Sequence, residues 1–383
     1  MSASSSYVAC PVAHTHDFKR GQAQLLAVGE RAAGSVIYAV SRPGFVFASR
    51  DEGCTWRRFG RGVAGVPWSL LAIDPVKPAL MFAGNGDAIA RTVDAGAHWT
   101  AIHLPGGARA TSVVFAGEGR GTVYAWGVAG GFGGITLGGP PGGMFVSHDR
   151  GVTWRKIAGY QPYGTGYVGV AESKPSTLYV GTDGGLFLTT DGGGSWRGLT
   201  KGLPFAFGQP PPIDAVAVSP TNPSLAFADA GQGEMSSHAV GWMNSDPLET
   251  IFRTTDGGET WHPSLTGEFG ADNGIVFAPN SDRTAYALVL RANHARTNSI
   301  PGELYITNDG GKSWHGFPGR VPGPCTYPGA DPCGDSHVIT SLLVDPSNPS
   351  VLYGETDGGR LARSVNGGRT WAFTPMPRTA ASG

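Results

Sequence analysis

At 383 residues the chain has room for two or three ordinary domains, or for one large all-β domain. Its 61 glycines and 29 prolines follow no G-X-Y period, which excludes collagen, and ten tryptophans with ordinary apolar content give it a core to bury. The 28 basic and 29 acidic residues nearly cancel and form no Lys/Arg run, so neither nucleic acid nor an anionic membrane is expected as the main partner.

The chain begins "MSASSSYVAC", which lacks the basic and apolar regions of a signal peptide. Residues 1–23 carry no repeat signature and either add an outer strand that latches the fold or lie loose. From there on one string recurs: "SRDEGCTW" (49–56), "TVDAGAHW" (92–99), "SHDRGVTW" (147–154), "TTDGGGSW" (189–196), "TTDGGETW" (254–261), "TNDGGKSW" (307–314) and "SVNGGRTW" (364–371). The shared pattern is Ser/Thr-x-Asp/Asn-x-Gly-x-Thr/Ser/His-Trp, in which only Asn366 and His98 depart from Asp and from Thr/Ser. Between these boxes a second pattern repeats. "LLAIDPVKPALMFAG" (70–84), "VAVSPTNPSLAFAD" (216–229) and "LLVDPSNPSVLYGE" (342–355) each read as an alternating strand, a Pro/Asn turn and a second strand. A third short strand leads into the box and a fourth begins at its Trp. Four short antiparallel strands repeated about every 50 residues spell a propeller blade. The expected fold is all-β: one seven-bladed propeller over residues 24–383, with four-stranded antiparallel blades. No apolar stretch is long enough for a membrane-spanning helix.

These strings resemble Asp-boxes, also called BNR repeats, which occur in sialidases, sortilin-type receptors, xyloglucan-specific endoglucanases and the photosystem II assembly factor. The resemblance covers essentially the whole chain and implies the fold, but its members do unrelated things, so it implies no single function. The sialidase comparison fails at the residues: no "RIP" occurs, the nearest string being "SRPG" (41–44), and Arg42, Arg109, Arg291 and Arg296 form no recognisable triad. Xyloglucanases resemble two propellers facing across a cleft, and this chain has one.

Seven near-identical boxes point to framework. Asp51, Asp94, Asp149, Asp191, Asp256, Asp309 and Asn366 are expected to accept bonds from their own turns, with glycine supplying positive φ and Trp entering the core. Each copy offers too few oxygen side chains for calcium, and neither a metal site nor a cofactor is expected.

Strand order puts the boxes on one face and the long insertions on the other. Three insertions join second and third strands (126–144, 229–249 and 290–303), and three link blades (158–167, 200–214 and 318–337). Long loops on a rigid scaffold are where binding sites sit. Trp68, Trp126 and Trp242, with Tyr160, Tyr163, Tyr167, Phe132, Phe205 and Phe207, map to this loop face, as a platform for sugar rings or an apolar peptide or as loop anchors. Asn273 and Arg291 join them as candidate ligand-binding residues.

Aligning the innermost strands puts Ser69, Thr111, Asp214, Asn273 and Thr340 at one level of the central channel. Asp214 and Asp272 come from adjacent blades and form a candidate carboxylate pair, with Glu234, Asp246, Asp229 and Glu249 as alternative partners. Two readings follow. The first is a recognition or scaffold module that binds a glycan, a peptide or a partner protein on its loop face, most simply as a monomer. The second is a glycoside hydrolase or lyase working at the channel mouth. Cys325 and Cys333 bracket "CTYPGADPC", a loop a disulfide would pin, and a disulfide there points to an exported protein.

Overall fold

The computed structural model describes residues 23–29, 35–41, 45–61, 70–74, 77–84, 89–116, 121–128, 143–158, 166–205, 209–230, 250–266, 274–289, 303–317, 339–356 and 360–376. They form seven four-stranded antiparallel sheets, each built from four consecutive strands, and the sheets stand as blades around a central channel. A single 3₁₀ turn, Pro105–Gly107, is the one helical element among the described residues.

Blade 5 shows why these sequences make blades. Its second strand, Ala226–Ala230, is buried over all five residues, because the sheet is packed on both sides by neighbouring blades. Side chains alternate across it. Ala226 and Ala228 meet Tyr179, Leu186 and Leu188 of blade 4, while Phe227 turns to Phe277, Ala285 and Ala287 of blade 6. The ring centroid of Phe227 lies 5.0 Å from Phe277 and 5.5 Å from the box residue Trp314. Box tryptophans repeat this backward contact: Trp154 meets Phe82 of blade 2, and Trp261 meets Tyr179 of blade 4. Burying one such aromatic is worth a few kcal/mol, so each blade is held largely by its neighbours.

Polar clamps reinforce the joints. The Arg91 Nε donates to the carbonyl of Arg150 in the next blade at 2.7 Å, and Arg197 pairs with Glu259 at 2.8 Å. Tyr179 and Tyr286 donate their hydroxyls to the carbonyls of Pro223 and Pro349, each one blade on. The ring closes by the same means. Ile37 and Ala39 of blade 1 pack with Val351, Tyr353, Leu361 and Met376 of blade 7. Arg363 pairs with Glu52 at 2.5 Å, and the Ser35 hydroxyl donates to Asp345 at 2.8 Å. Blades 1 and 7 each draw all four strands from their own stretch of chain, beginning at Ala23 and Ile339. Of residues 1–23, the anticipated latch, Ala23 opens the first strand of blade 1 and the rest lie outside the described residues.

The box turns share one pattern of bonds, with variations in blades 2 and 7. In blade 5 the buried Thr254 hydroxyl donates to Asp256 Oδ1 at 2.7 Å and accepts from the Gly258 N–H at 2.9 Å. Asp256 Oδ1 accepts from the Thr260 N–H at 3.0 Å, and Oδ2 accepts from its hydroxyl at 2.6 Å. Asp51, Asp94, Asp149, Asp191 and Asp309 repeat the arrangement, with the His98 ring replacing the hydroxyl in blade 2. In blade 7 the Asn366 amide instead donates to Thr370 at 2.9 Å. The leading Ser or Thr, which carried no assigned role in the sequence, is the buried centre of each turn. The glycine after it lies in the left-handed region and against the blade before: Gly258 has φ +81°, and a Cβ there would meet Leu199 at 2.8 Å. No other residue fits that position.

Candidate functional site

The two faces of the disc differ in what joins their strands. Every box turn leaves seven residues between strands, from Ser49–Arg57 in blade 1 to Ser364–Ala372 in blade 7. On the other face, second and third strands are joined through residues 129–142 in blade 3, 231–249 in blade 5 and 290–302 in blade 6, against only 183–184 in blade 4. The links between blades end on this face as well, the longest running from Phe317 to Ile339. Long connections are therefore confined to one side of a rigid ring.

At the centre the innermost strands wall a cavity of about 470 Å³. Blades 3 to 6 contribute Thr111, Ser112, Tyr167, Asp214, Val216 and Ile275 to its lining. Backbone irregularity aims some of these side chains. In blade 5 Ile213 pairs with Ala230 and Ala215 with Asp229, which leaves Asp214 as the extra residue of a β-bulge. Blade 3 has the same interruption at Thr111, where Ala110 and Ser112 pair with Gly127 and Trp126. Blade 7 has it at Thr340, between Ile339 and Ser341. A bulge bends its strand and re-aims a side chain that would otherwise follow the alternation. Ile213 therefore stays in the core at 1 % exposure while Asp214, beside it, reaches the cavity part-buried. Blade 4 has no bulge at this level; Tyr167 pairs regularly with Gly181 and is 40 % exposed.

The sequence alignment of Thr111, Asp214 and Thr340 thus coincides with a shared backbone feature that no residue type announces. Other candidates moved. Trp126 is not a platform residue: it is 1 % exposed, because its ring lies against the backbone of Gly166 in the next blade, where a side chain would collide with it. Asp229 is not on a solvent-facing loop either; it lies within the second strand of blade 5 at 0 % exposure. Phe205 is exposed on the link between blades 4 and 5. Trp68, Tyr163, Phe207, Trp242, Asn273 and Arg291 lie outside the described residues, as do Asp272, Glu234, Asp246 and the pair Cys325 and Cys333. Cys54, to which no bond was assigned, is disulfide-bonded to a partner outside the described residues. Among the described residues no group of His, Cys, Asp and Glu could hold a metal ion, and no helix is long and apolar enough to cross a membrane.

The box carboxylates are held low by their own turns. Hydrogen bonds from Thr260, opposed by some burial, lower the carboxyl of Asp256 to about 2. Bonds from the His98 N–H, the Thr153 hydroxyl, the Ser195 N–H and the Ser313 hydroxyl hold Asp94, Asp149, Asp191 and Asp309 well below the usual carboxylate range. These perturbations arise from local turn bonds repeated in six of the seven blades, so they mark framework.

Comparison with known proteins agrees with this architecture. The BNR/Asp-box repeat model matches residues 252–263. No curated protein matches the chain. Among solved structures, an ancestral GH74 enzyme is similar with a TM-score of 0.67 at 17 % identity, over 92 % of this chain and 46 % of that one. The chain thus spans about half the length of that enzyme. YCF48 bound to D1 peptide is similar with a TM-score of 0.55 at 15 % identity, over 94 % of this chain and 99 % of that one. YCF48 from Cyanidioschyzon merolae is similar with a TM-score of 0.54 at 15 % identity, over 90 % and 95 %. Identities this low carry the fold and leave the activity open. The chain is thus a seven-bladed β-propeller that carries the BNR/Asp-box repeat at residues 252–263 and resembles the BNR-repeat propellers in fold.

Proposed function

We propose that this propeller is a recognition module that binds a polypeptide segment of a partner at its loop face, over the mouth of the central channel. The observation that carries the reading is the confinement of long connections to one face, while all seven box turns keep a single length. A cavity of about 470 Å³ under that face lies within the usual size of a pre-formed ligand site. The ring supplies rigidity: blades clamped on both sides hold Asp214 and Tyr167 at fixed positions, so little ordering cost falls on the protein when a ligand binds. That a YCF48 propeller has been solved with a bound D1 peptide accords with a polypeptide ligand for this fold. The disulfide at Cys54 suits an exported chain.

A second reading is a glycoside hydrolase or lyase using Asp214 with Asp272; it is favoured by the bulge that brings Asp214 to the channel. Peptide and glycan arrays, with a polysaccharide-cleavage panel, separate the two. Peptide binding without cleavage supports recognition; cleavage abolished by Asp214→Asn or Asp272→Asn would establish the hydrolase.

A further inference from the structure

We propose that the channel cavity is the subsite for a lysine or arginine side chain of the bound polypeptide, an inference that rests on the recognition reading. The lining divides by chemistry. Val168, Val216 and Ile275 supply apolar wall from three successive blades, and Asp214 is the one carboxylate among the described lining residues, which include no basic group. Thr111 and Ser112 bring hydroxyls from blade 3 and Tyr167 a phenol from blade 4. A long side chain that is apolar along its stem and cationic at its tip matches such a lining from end to end.

Other occupants match one part and fail at another. An acidic side chain would face Asp214 as a like charge. A purely aliphatic one would displace water from the carboxylate and offer it no hydrogen bond in return. A cation converts that cost into a charge-assisted hydrogen bond, about twice as strong as a neutral one. A carboxylate has about four acceptor positions, so Asp214 can receive the cation alongside an interaction it already makes. The bulge matters here because it sets the carboxylate in the channel while its neighbours Ile213 and Ala217 stay in the core. Position and charge thus come from one local feature of blade 5.

The test uses the full chain and an immobilised array of peptides that carry lysine, arginine, norleucine or glutamate at one central position in otherwise identical sequences. Bound sequences are then measured in solution by titration calorimetry. The subsite predicts that lysine or arginine peptides bind at least 10-fold more tightly than their norleucine counterparts, that raising salt from about 50 to 500 mM narrows the difference only in part because the pair is part-buried, and that Asp214→Asn abolishes it. Asp214→Glu should retain part of the preference, and an unchanged melting temperature in both variants shows that the ring is intact. Equal affinity for lysine and norleucine, or a lysine preference that survives Asp214→Asn, overturns the subsite while leaving loop-face recognition standing. If the chain binds no peptide and cleaves a polysaccharide instead, the recognition reading falls and the subsite falls with it.

Discussion

The two glycines of the blade 5 box adopt the same backbone conformation for different reasons. Gly257 has φ +72° and its nearest neighbour, the Ser224 hydroxyl, would lie 3.9 Å from an added Cβ. Gly258 has φ +81° and would press its Cβ onto Leu199 at 2.8 Å. Gly257→Ala should therefore cost about 1–2 kcal/mol, the ordinary left-handed penalty, and Gly258→Ala about 1–3 kcal/mol more from overpacking. Urea unfolding of the two variants checks this. Glu52, Ala95 and Arg150 stand at the Gly257 position in other blades, each with positive φ, which agrees with the smaller cost there. The carboxylates give a second prediction. The folded pKa of Asp256 is lowered to about 2, chiefly by the Thr260 hydroxyl. A lowered acid stabilises the fold above its unfolded value near 4, and that contribution is lost as pH falls toward about 2. Six boxes carry an Asp that behaves this way, while Asn366 does not titrate. Melting temperature should fall steeply between about pH 4 and 2, and Asp256→Asn should flatten part of that slope. A flat profile through this window would contradict the bonding described.

At the scale of the blade, stability resides in the joints. Phe227 lies in the second strand of blade 5, yet its ring partners Phe277 and Trp314 belong to blade 6. Phe227→Ala should cost about 3–5 kcal/mol and leave a cavity at the joint, measurable by denaturant unfolding. Arg363→Ala at the closing joint should cost about 1 kcal/mol, because Glu52 is half exposed and the apolar contacts of Ile37 with Leu361 remain. A larger loss would place ring closure on the ion pair. Elements of this kind were legible in the sequence where a rule repeats. Seven boxes and three aligned strand pairs identify blades, since each copy must satisfy the same turn and the same sandwich. The bulges were not legible, because an extra residue in a ladder shows only against its partner strand, and Thr111, Asp214 and Thr340 carry no common signature that marks one. Trp126 was misplaced for a related reason. Its burial depends on Gly166, a residue of another blade about 40 positions away, which leaves room for the ring.

For the whole molecule, the ring separates framework from function by face. The box face carries the repeated bonds that fix each blade, and the opposite face carries every long connection and the cavity mouth. Charge tests this division. Lys174 is exposed in the turn after the first strand of blade 4, on the box face. Lys174→Glu should leave peptide affinity within about twofold, whereas Tyr167→Ala should weaken it at least tenfold through lost contact in the channel. Calorimetry on both variants compares the faces.

The most direct measurement is hydrogen–deuterium exchange of the chain with and without an array peptide that it binds. Bound peptide should slow exchange at the cavity strands Gly166–Val170 and Ile213–Val218 and in the long connections, leaving box turns such as 254–261 unchanged. Protection centred on the box turns, with the channel strands unaffected, would contradict the account.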